Sequence, residues 1–212
     1  MPAICFRRTL AIASLVACAG GCSPTPILLA PGFEAHQTSR FGKLSPKVAP
    51  CRVQIASVED KRSNSETMGE LSYRPIHASD VVGWVRSGFQ SLERDPRLAL
   101  VQPGSPGAPE LTLHVELDKA YVNSAAGMSK AADVVVRVRY GRNEEPETEQ
   151  WYRGEYTGVN WAASTGETEA ALNSAFEQLL KDVDNDIVSR CAAKTTSTAS
   201  TALPASQSRS SP

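Results

Sequence analysis

The sequence predicts an α+β fold, a two-layer sandwich in which two helices cover one face of an antiparallel sheet of four to five strands, in the order β-α-β-β-β-β-α. Three patterns carry this expectation. Leu111, Leu113, Val115 and Leu117 alternate with Thr112, His114, Glu116 and Asp118, the period-two signature of a strand with one buried and one wet face. Ala132, Val134, Val136, Val138 and Tyr140 repeat that alternation beyond a turn at Asn123 to Gly127. Leu172, Ala175, Phe176, Leu179, Leu180, Val183 and Ile187 recur at steps of three and four, so one helical face is apolar, while Glu177, Lys181, Asp184 and Asp186 line the other.

The remaining elements fall into place around these. Val53, Ile55 and the later Val58 mark a first strand that ends in Glu59-Asp60-Lys61-Arg62 and a polar loop to Gly69. A helix follows with Ser79 as N-cap, Asp80 in its first turn, and Val81, Val82, Val85, Phe89 and Leu92 on one face, until Asp95-Pro96 stops it. Leu98 to Val101 reads as a short strand. After Gly141 to Pro146 a further strand runs through Trp151, Tyr152, Arg153 and Tyr156, closing an antiparallel meander. The last helix starts near Thr165 or Thr168, where Glu167 and Glu169 suit its positive end.

The ends of the 212-residue chain have a different character. Arg7 and Arg8 precede a short apolar run, Thr9 to Val16, below the roughly 20 residues of a membrane span, and together they read as an export signal. Leu15-Val16-Ala17-Cys18 then resembles the lipobox of bacterial lipoproteins. That resemblance implies cleavage before the cysteine, attachment of diacylglycerol to its thiol, and further acylation by a fatty acid such as palmitate. Cys22, after Ala19-Gly20-Gly21, is the alternative site, and choosing it leaves Cys51 and Cys191 as an even pair in an oxidising compartment. Neither cysteine is followed by Asp, which points to the outer membrane, facing the periplasm. The expected organisation is a signal peptide over 1–21, a flexible proline-containing tether over 22–50, a folded domain over 51–191, and a disordered Ser/Thr/Ala-rich tail over 192–212. Cys51 and Cys191 bracket the domain and are expected to form a disulfide.

Composition narrows the function classes. The formal net charge is -1 with Lys and Arg dispersed, so no basic face marks a nucleic-acid partner. No serine-nucleophile motif is present, and His36, His77 and His114 stand apart with no metal-ligand spacing, so neither catalytic residues, nor a metal, nor a cofactor is expected. His114 and Glu116 share a strand face, an arrangement that a wet sheet face shows without any catalytic task. Two groups remain as candidates for binding. Asp60 and Arg62 lie at a strand end before a long loop, where local charge pairing is the competing explanation. Trp84, Trp151 and Trp161, with Tyr152 and Tyr156, are candidates to line a groove, Trp151 and Trp161 foremost, against the alternative of ordinary packing.

From Arg52 to Ile187 the pattern resembles the YajG-type family of uncharacterised bacterial lipoproteins. The likeness rests on Val58-Glu59-Asp60-Lys61-Arg62, the loop with Gly69, the helix holding Val85 and Leu92, the strand Leu111 to Leu117, Trp151-Tyr152-Arg153-Gly154-Glu155-Tyr156, and the closing helix. It implies an envelope location and no known catalysis. The element order is also similar to that of auxiliary lipoproteins of ABC-type lipid transport systems. The reading is therefore a non-enzymatic, lipid-anchored module that docks an envelope protein; the alternative is a lipid- or glycan-binding transport auxiliary, which requires an apolar groove between helices and sheet.

Overall fold

The computed structural model describes residues 24–33, 49–125, 128–142 and 145–199. Cys18, Cys22, His36 and the last residues of the expected tail lie outside them. The fold is a mixed α+β one, with an open sheet of eight strands and two helices. In chain order these are β1 (Ile27–Leu29), β2 (Cys51–Asp60), β3 (Gly69–Leu71), β4 (Arg74–Ala78), α1 (Val81–Gln90), β5 (Leu98–Leu100), β6 (Leu111–Ala125), β7 (Ser129–Arg142), β8 (Glu145–Val159) and α2 (Thr165–Ala199), with a 3-10 turn over Ser91–Arg94 after α1.

Long strand β6 organises the sheet. One of its edges pairs antiparallel with β7 along nearly its whole length, and β7 pairs in turn with β8. Its other edge is shared: the first half pairs with β2, and the second with β3 at Gly69↔Val122. Beyond β2 lies β5, and beyond β3 lie β4 and β1. The expected sheet of four to five antiparallel strands is thereby corrected, because β2–β6, β2–β5, β3–β6 and β1–β4 are all parallel pairs. The crossover through α1 explains β2–β6, since parallel neighbours require a connection that returns across the sheet. Bulges reset the alternation between Ile55 and Ser57 on β2 and between Leu117 and Lys119 on β6. They are why the buried positions switch from Val53 to Val58 on β2 and from Leu117 to Ala120 on β6.

Both helices pack on the sheet face formed by Leu113, Val115, Val134, Val136 and Val138, all fully buried. They meet through Trp84 and Phe176, whose ring centroids are 4.7 Å apart, and a Cβ on Gly88 would come within 2.2 Å of Phe176. Trp84 also donates from Nε1 to Asn173 Oδ1 at 2.8 Å, which satisfies both buried polar groups. On β8, Gly154 lets the backbone of α2 come close: a Cβ there would lie 1.8 Å from the Ala175 carbonyl oxygen.

Three boundaries differ from expectation. Within the expected tether, Ile27 and Leu29 are buried and β1 adds to the sheet beside β4, with Phe33 edge-on to Phe176 at 5.3 Å. The apolar run Ile27-Leu28-Leu29 suffices for a short edge strand, and the flanking Pro26 and Pro31 are tolerated there. The N-cap of α1 is Asp80 rather than Ser79, its Oδ1 accepting from Gly83 N at 2.8 Å. At the other end α2 runs past Cys191 to Ala199, into the stretch expected to be a disordered tail, because Ala192, Ala193 and Lys194 continue an established helix at little cost. Cys51 and Cys191 are disulfide-bonded, with Cα atoms 6.0 Å apart and a sequence separation of 140.

Candidate interaction site on the open sheet face

The sheet face away from the helices has no layer over it among the described residues. Strand register arranges its side chains in cross-strand rows. Ser57, His114, Arg139 and Glu149 form one row, and Glu59, Glu116, Arg137 and Trp151 form the next. Past the β6 bulge, Tyr121, Asp133 and Glu155 form a third. Neighbours on such a face sit close enough to pair, and opposite charges directly across a ladder are favourable.

Glu116 is the hub. It is buried in the middle of the face and receives hydrogen bonds from Arg137 Nη2 and, at 3.2 Å, from Arg139 Nη2. Arg137 also lies within ion-pair distance of Asp118 and Glu149, and its guanidinium carbon sits 5.2 Å from the ring centre of Trp151. Arg139 reaches Glu147 at 3.8 Å. Even so, the Nε atoms of Arg137 and Arg139 and Oδ2 of Asp118 are buried without a hydrogen-bond partner. Burial pushes the Asp118 carboxyl up, and the charge of Arg137 only partly offsets this. At the far end of the face, burial resists ionisation of Asp133, yet hydrogen bonds from Arg153 and Lys119 hold its carboxyl below the usual range.

The residues singled out from the sequence do not form one site. Asp60 and Arg62 make a two-pronged pair, Nε to Oδ1 at 2.9 Å and Nη2 to Oδ2 at 2.8 Å, and Arg62 also donates to the Thr67 carbonyl. That pair holds the Asp60 carboxyl low and fixes the loop from 61 to 68. Trp151 stands half-exposed midway along β8, an edge strand of the open face, and Trp161 is exposed beyond the end of β8, about 25 Å further along the strand direction. Trp84, Tyr152 and Tyr156 point to the helix side, so the five aromatics do not line a common groove. His114 pairs through Nδ1 with Ser57 Oγ at 3.0 Å, separately from Glu116, which the two arginines hold. His77 Nδ1 pairs with the Glu66 carbonyl. Among the described residues no cluster of metal-ligating side chains occurs.

Sequence reasoning passed over Arg137, Arg139 and Glu116 as an assembly. The signal was there in Arg137 and Arg139 spaced two apart on a strand, opposite Glu116, once register is known. On the helix side, Tyr140 and Tyr152 share a hydrogen bond between their hydroxyls, and Tyr152 donates to Asp186. Burial pushes both phenols up, so they stay protonated. Tyr140 borders a cavity of about 140 Å³ that is also lined by Leu111, Arg142, Pro146, Thr148 and Arg190, room for a few waters.

No family model matches the chain, and neither does any curated protein. Among solved structures, a Xanthomonas campestris protein assigned to DUF330 superposes with a TM-score of 0.52 at 8% identity, covering 82% of this chain and 97% of its own. An uncharacterised protein gives 0.49 at 10% identity, over 77% and 99% of the two chains. A minor lipoprotein from Acinetobacter baumannii gives 0.38 at 4% identity, over 63% and 92%. None of the three is named as YajG-type, and at such identities the likeness to the DUF330 protein is one of fold alone: the chain shares the fold of that Xanthomonas protein.

Proposed function

We propose that this chain is a non-catalytic lipoprotein of the bacterial envelope, held to a membrane by a diacylglyceryl cysteine at Cys18 or Cys22, that docks a protein partner on its open sheet face. The observation that carries the docking reading is the Arg137–Trp151 pair on the outer strands β7 and β8 of that face, next to the buried Glu116 and to polar atoms that lack hydrogen-bond partners. Trp and Arg are the side chains that most often anchor protein interfaces, and here polar residues surround them. Mixed charge on the face suits a partner of interlocking charge pattern, which favours specificity over bulk affinity.

The alternative, a lipid- or glycan-binding transport auxiliary, requires an apolar groove between helices and sheet. That layer is filled by Trp84, Phe89, Phe176, Leu172 and Leu179, each almost fully buried, so the docking reading has the better support. The anchoring reading rests on the two sequences Leu15-Val16-Ala17-Cys18 and Ala19-Gly20-Gly21-Cys22, and the outer membrane is its destination in this proposal.

Photo-crosslinking in living cells tests the docking reading. A crosslinking amino acid replaces Trp151 in one strain and Asp182, exposed on the outer side of α2, in another. A discrete adduct with one protein from position 151 and none from 182 is expected. Adducts from 182 alone move the interface to the helix side and sink the docking surface proposed here.

A further inference from the structure

The end of the sheet where β6 turns into β7 gathers several loops. Ser72 and Tyr73 make the two-residue β3–β4 turn, and Met128 immediately precedes β7. Val159 ends β8, and Trp161 follows it ahead of α2. Hydrogen bonds tie these pieces together: Asn160 N donates to the Met128 carbonyl at 2.7 Å, Asn160 Nδ2 to Ser72 Oγ at 3.3 Å, and Ser72 N to Ser124 Oγ at 3.1 Å. Ser164 Oγ accepts from Glu167 N, and Glu167 accepts from Ala162 N, a reciprocal cap that holds the Trp161 loop against the start of α2.

What this tip presents is apolar. Tyr73 is 84% exposed, Trp161 77% and Met128 67%, with Val159 beside them on β8. Tyr73 is also held at φ 61°, following Ser72 at φ 52°. Two successive positive φ values are the preserve of Asn and Gly in hairpin turns, and a tyrosine placed there costs about 1 kcal/mol that its exposed ring does not recover by burial in the core.

The chain enters the domain at this same end. Arg74, next to Tyr73, donates from Nε to the Thr25 carbonyl at 2.8 Å and from Nη1 to the Ala163 carbonyl at 3.2 Å, so Thr25 lies beside the tip. Between Thr25 and a lipid on Cys22 or Cys18 there are three or seven residue steps, spanning at most about 10 or 25 Å. Because β1 is part of the sheet, the expected long tether does not separate lipid from domain.

We propose that Tyr73, Met128 and Trp161 form a membrane-contacting tip that seats the domain on the lipid surface holding its anchor. This rests on the lipid-anchored reading above. Trp and Tyr favour the boundary between headgroups and acyl chains, where an apolar ring and a polar edge are both satisfied. The tip needs little affinity of its own, since the lipid makes its encounter with the bilayer intramolecular. Seated this way, β6 to β8 run away from the membrane, and the open face stands roughly upright.

The test uses the full chain, purified from bacterial membranes and placed in vesicles of phosphatidylethanolamine and phosphatidylglycerol with brominated acyl chains, which quench tryptophan fluorescence within the bilayer. Wild type, W151F, W161F and Y73S are compared, with near-ultraviolet circular dichroism to verify folding. Quenching in wild type and W151F, lost in W161F and weakened in Y73S, is expected. Quenching that W161F retains, or that wild type lacks, overturns the tip. The intact mass of the same samples reports the anchor separately. A lipidated mass without Trp161 quenching removes the tip and leaves the anchor. A mass without lipid removes the anchor and, with it, the tip, which relies on the lipid to bring it to the bilayer.

Discussion

The two faces of β6, β7 and β8 are written by the same alternation, yet they obey different rules. On the helix side, Val134, Val136 and Val138 are fully buried, and their identity is dictated by close packing under α2. On the open side, Arg137, Arg139 and Glu116 hold one another through charge, and nothing in the fold demands those residue types. Side chains that a fold does not need, assembled beside a half-exposed tryptophan, are where recognition is to be sought.

The sharpest way to break this comparison is at the helix side. Gly154→Val places a side chain into the Ala175 carbonyl and forces α2 off the sheet. A loss of about 3–5 kcal/mol is expected in urea unfolding, or failure to accumulate folded protein. Replacing Cys51 and Cys191 together by Ala opens the loop between them and is expected to cost about 2–5 kcal/mol, read as a lower melting temperature that reductant no longer changes.

Asp184 sharpens it through pH. It is buried on α2 near Asp95, and the two share Arg97. Burial, with the charge of Asp95 close by, pushes the Asp184 carboxyl up to about 7. Burial also opposes ionisation of Asp95, but the fork of hydrogen bonds from Arg97 prevails and keeps that carboxyl below its usual range. Between the ordinary Asp value of 3.8 and about 7, the unfolded chain has released the Asp184 proton while the folded chain retains it. Stability from this group therefore falls as pH rises through that window. Asp184→Asn is expected to flatten the decline and to raise stability at pH 8 by about 1–3 kcal/mol, measured as urea midpoints at pH 5 and pH 8. On the open face, Arg139→Gln is expected to change stability by less than about 1 kcal/mol, since its ion pairs are partly exposed. The same change is expected to weaken the adduct at position 151. A large stability loss with an unaltered adduct would assign Arg139 to the fold instead.

What was legible in the sequence follows the same division. Strong alternation exposed β6 and β7, the run through Trp151, Tyr152, Arg153 and Tyr156 marked β8, apolar steps of three and four exposed α2, and two cysteines at the domain limits marked their own pairing. The β3–β4 hairpin was hidden because Gly69–Leu71 and Arg74–Ala78 are too short and too mixed in polarity to show a period. β1 was hidden by its prolines. Parallel pairing is invisible to local pattern, because it is decided by a crossover and not by composition. Of the site, Trp151 stood out as an aromatic, whereas Arg137 and Glu116 looked like any wet strand positions until register set them side by side. Ser164 and Glu167, spaced as a reciprocal cap, marked the start of α2 more sharply than the threonines did.

The disulfide has a mechanical consequence. It closes a covalent ring from Cys51 to Cys191 that holds every described strand except β1. If the chain hangs from a lipid, any drag on the domain is transmitted first to the three residues Ile27–Leu29 and their ladder with β4. That ladder, the Ala30 N–Glu169 bond and the Phe33–Phe176 contact form a clasp that peels on its own while the ring stays shut. A pull on the membrane end would thus lengthen the leash by releasing β1, letting the domain lift from the surface without unfolding.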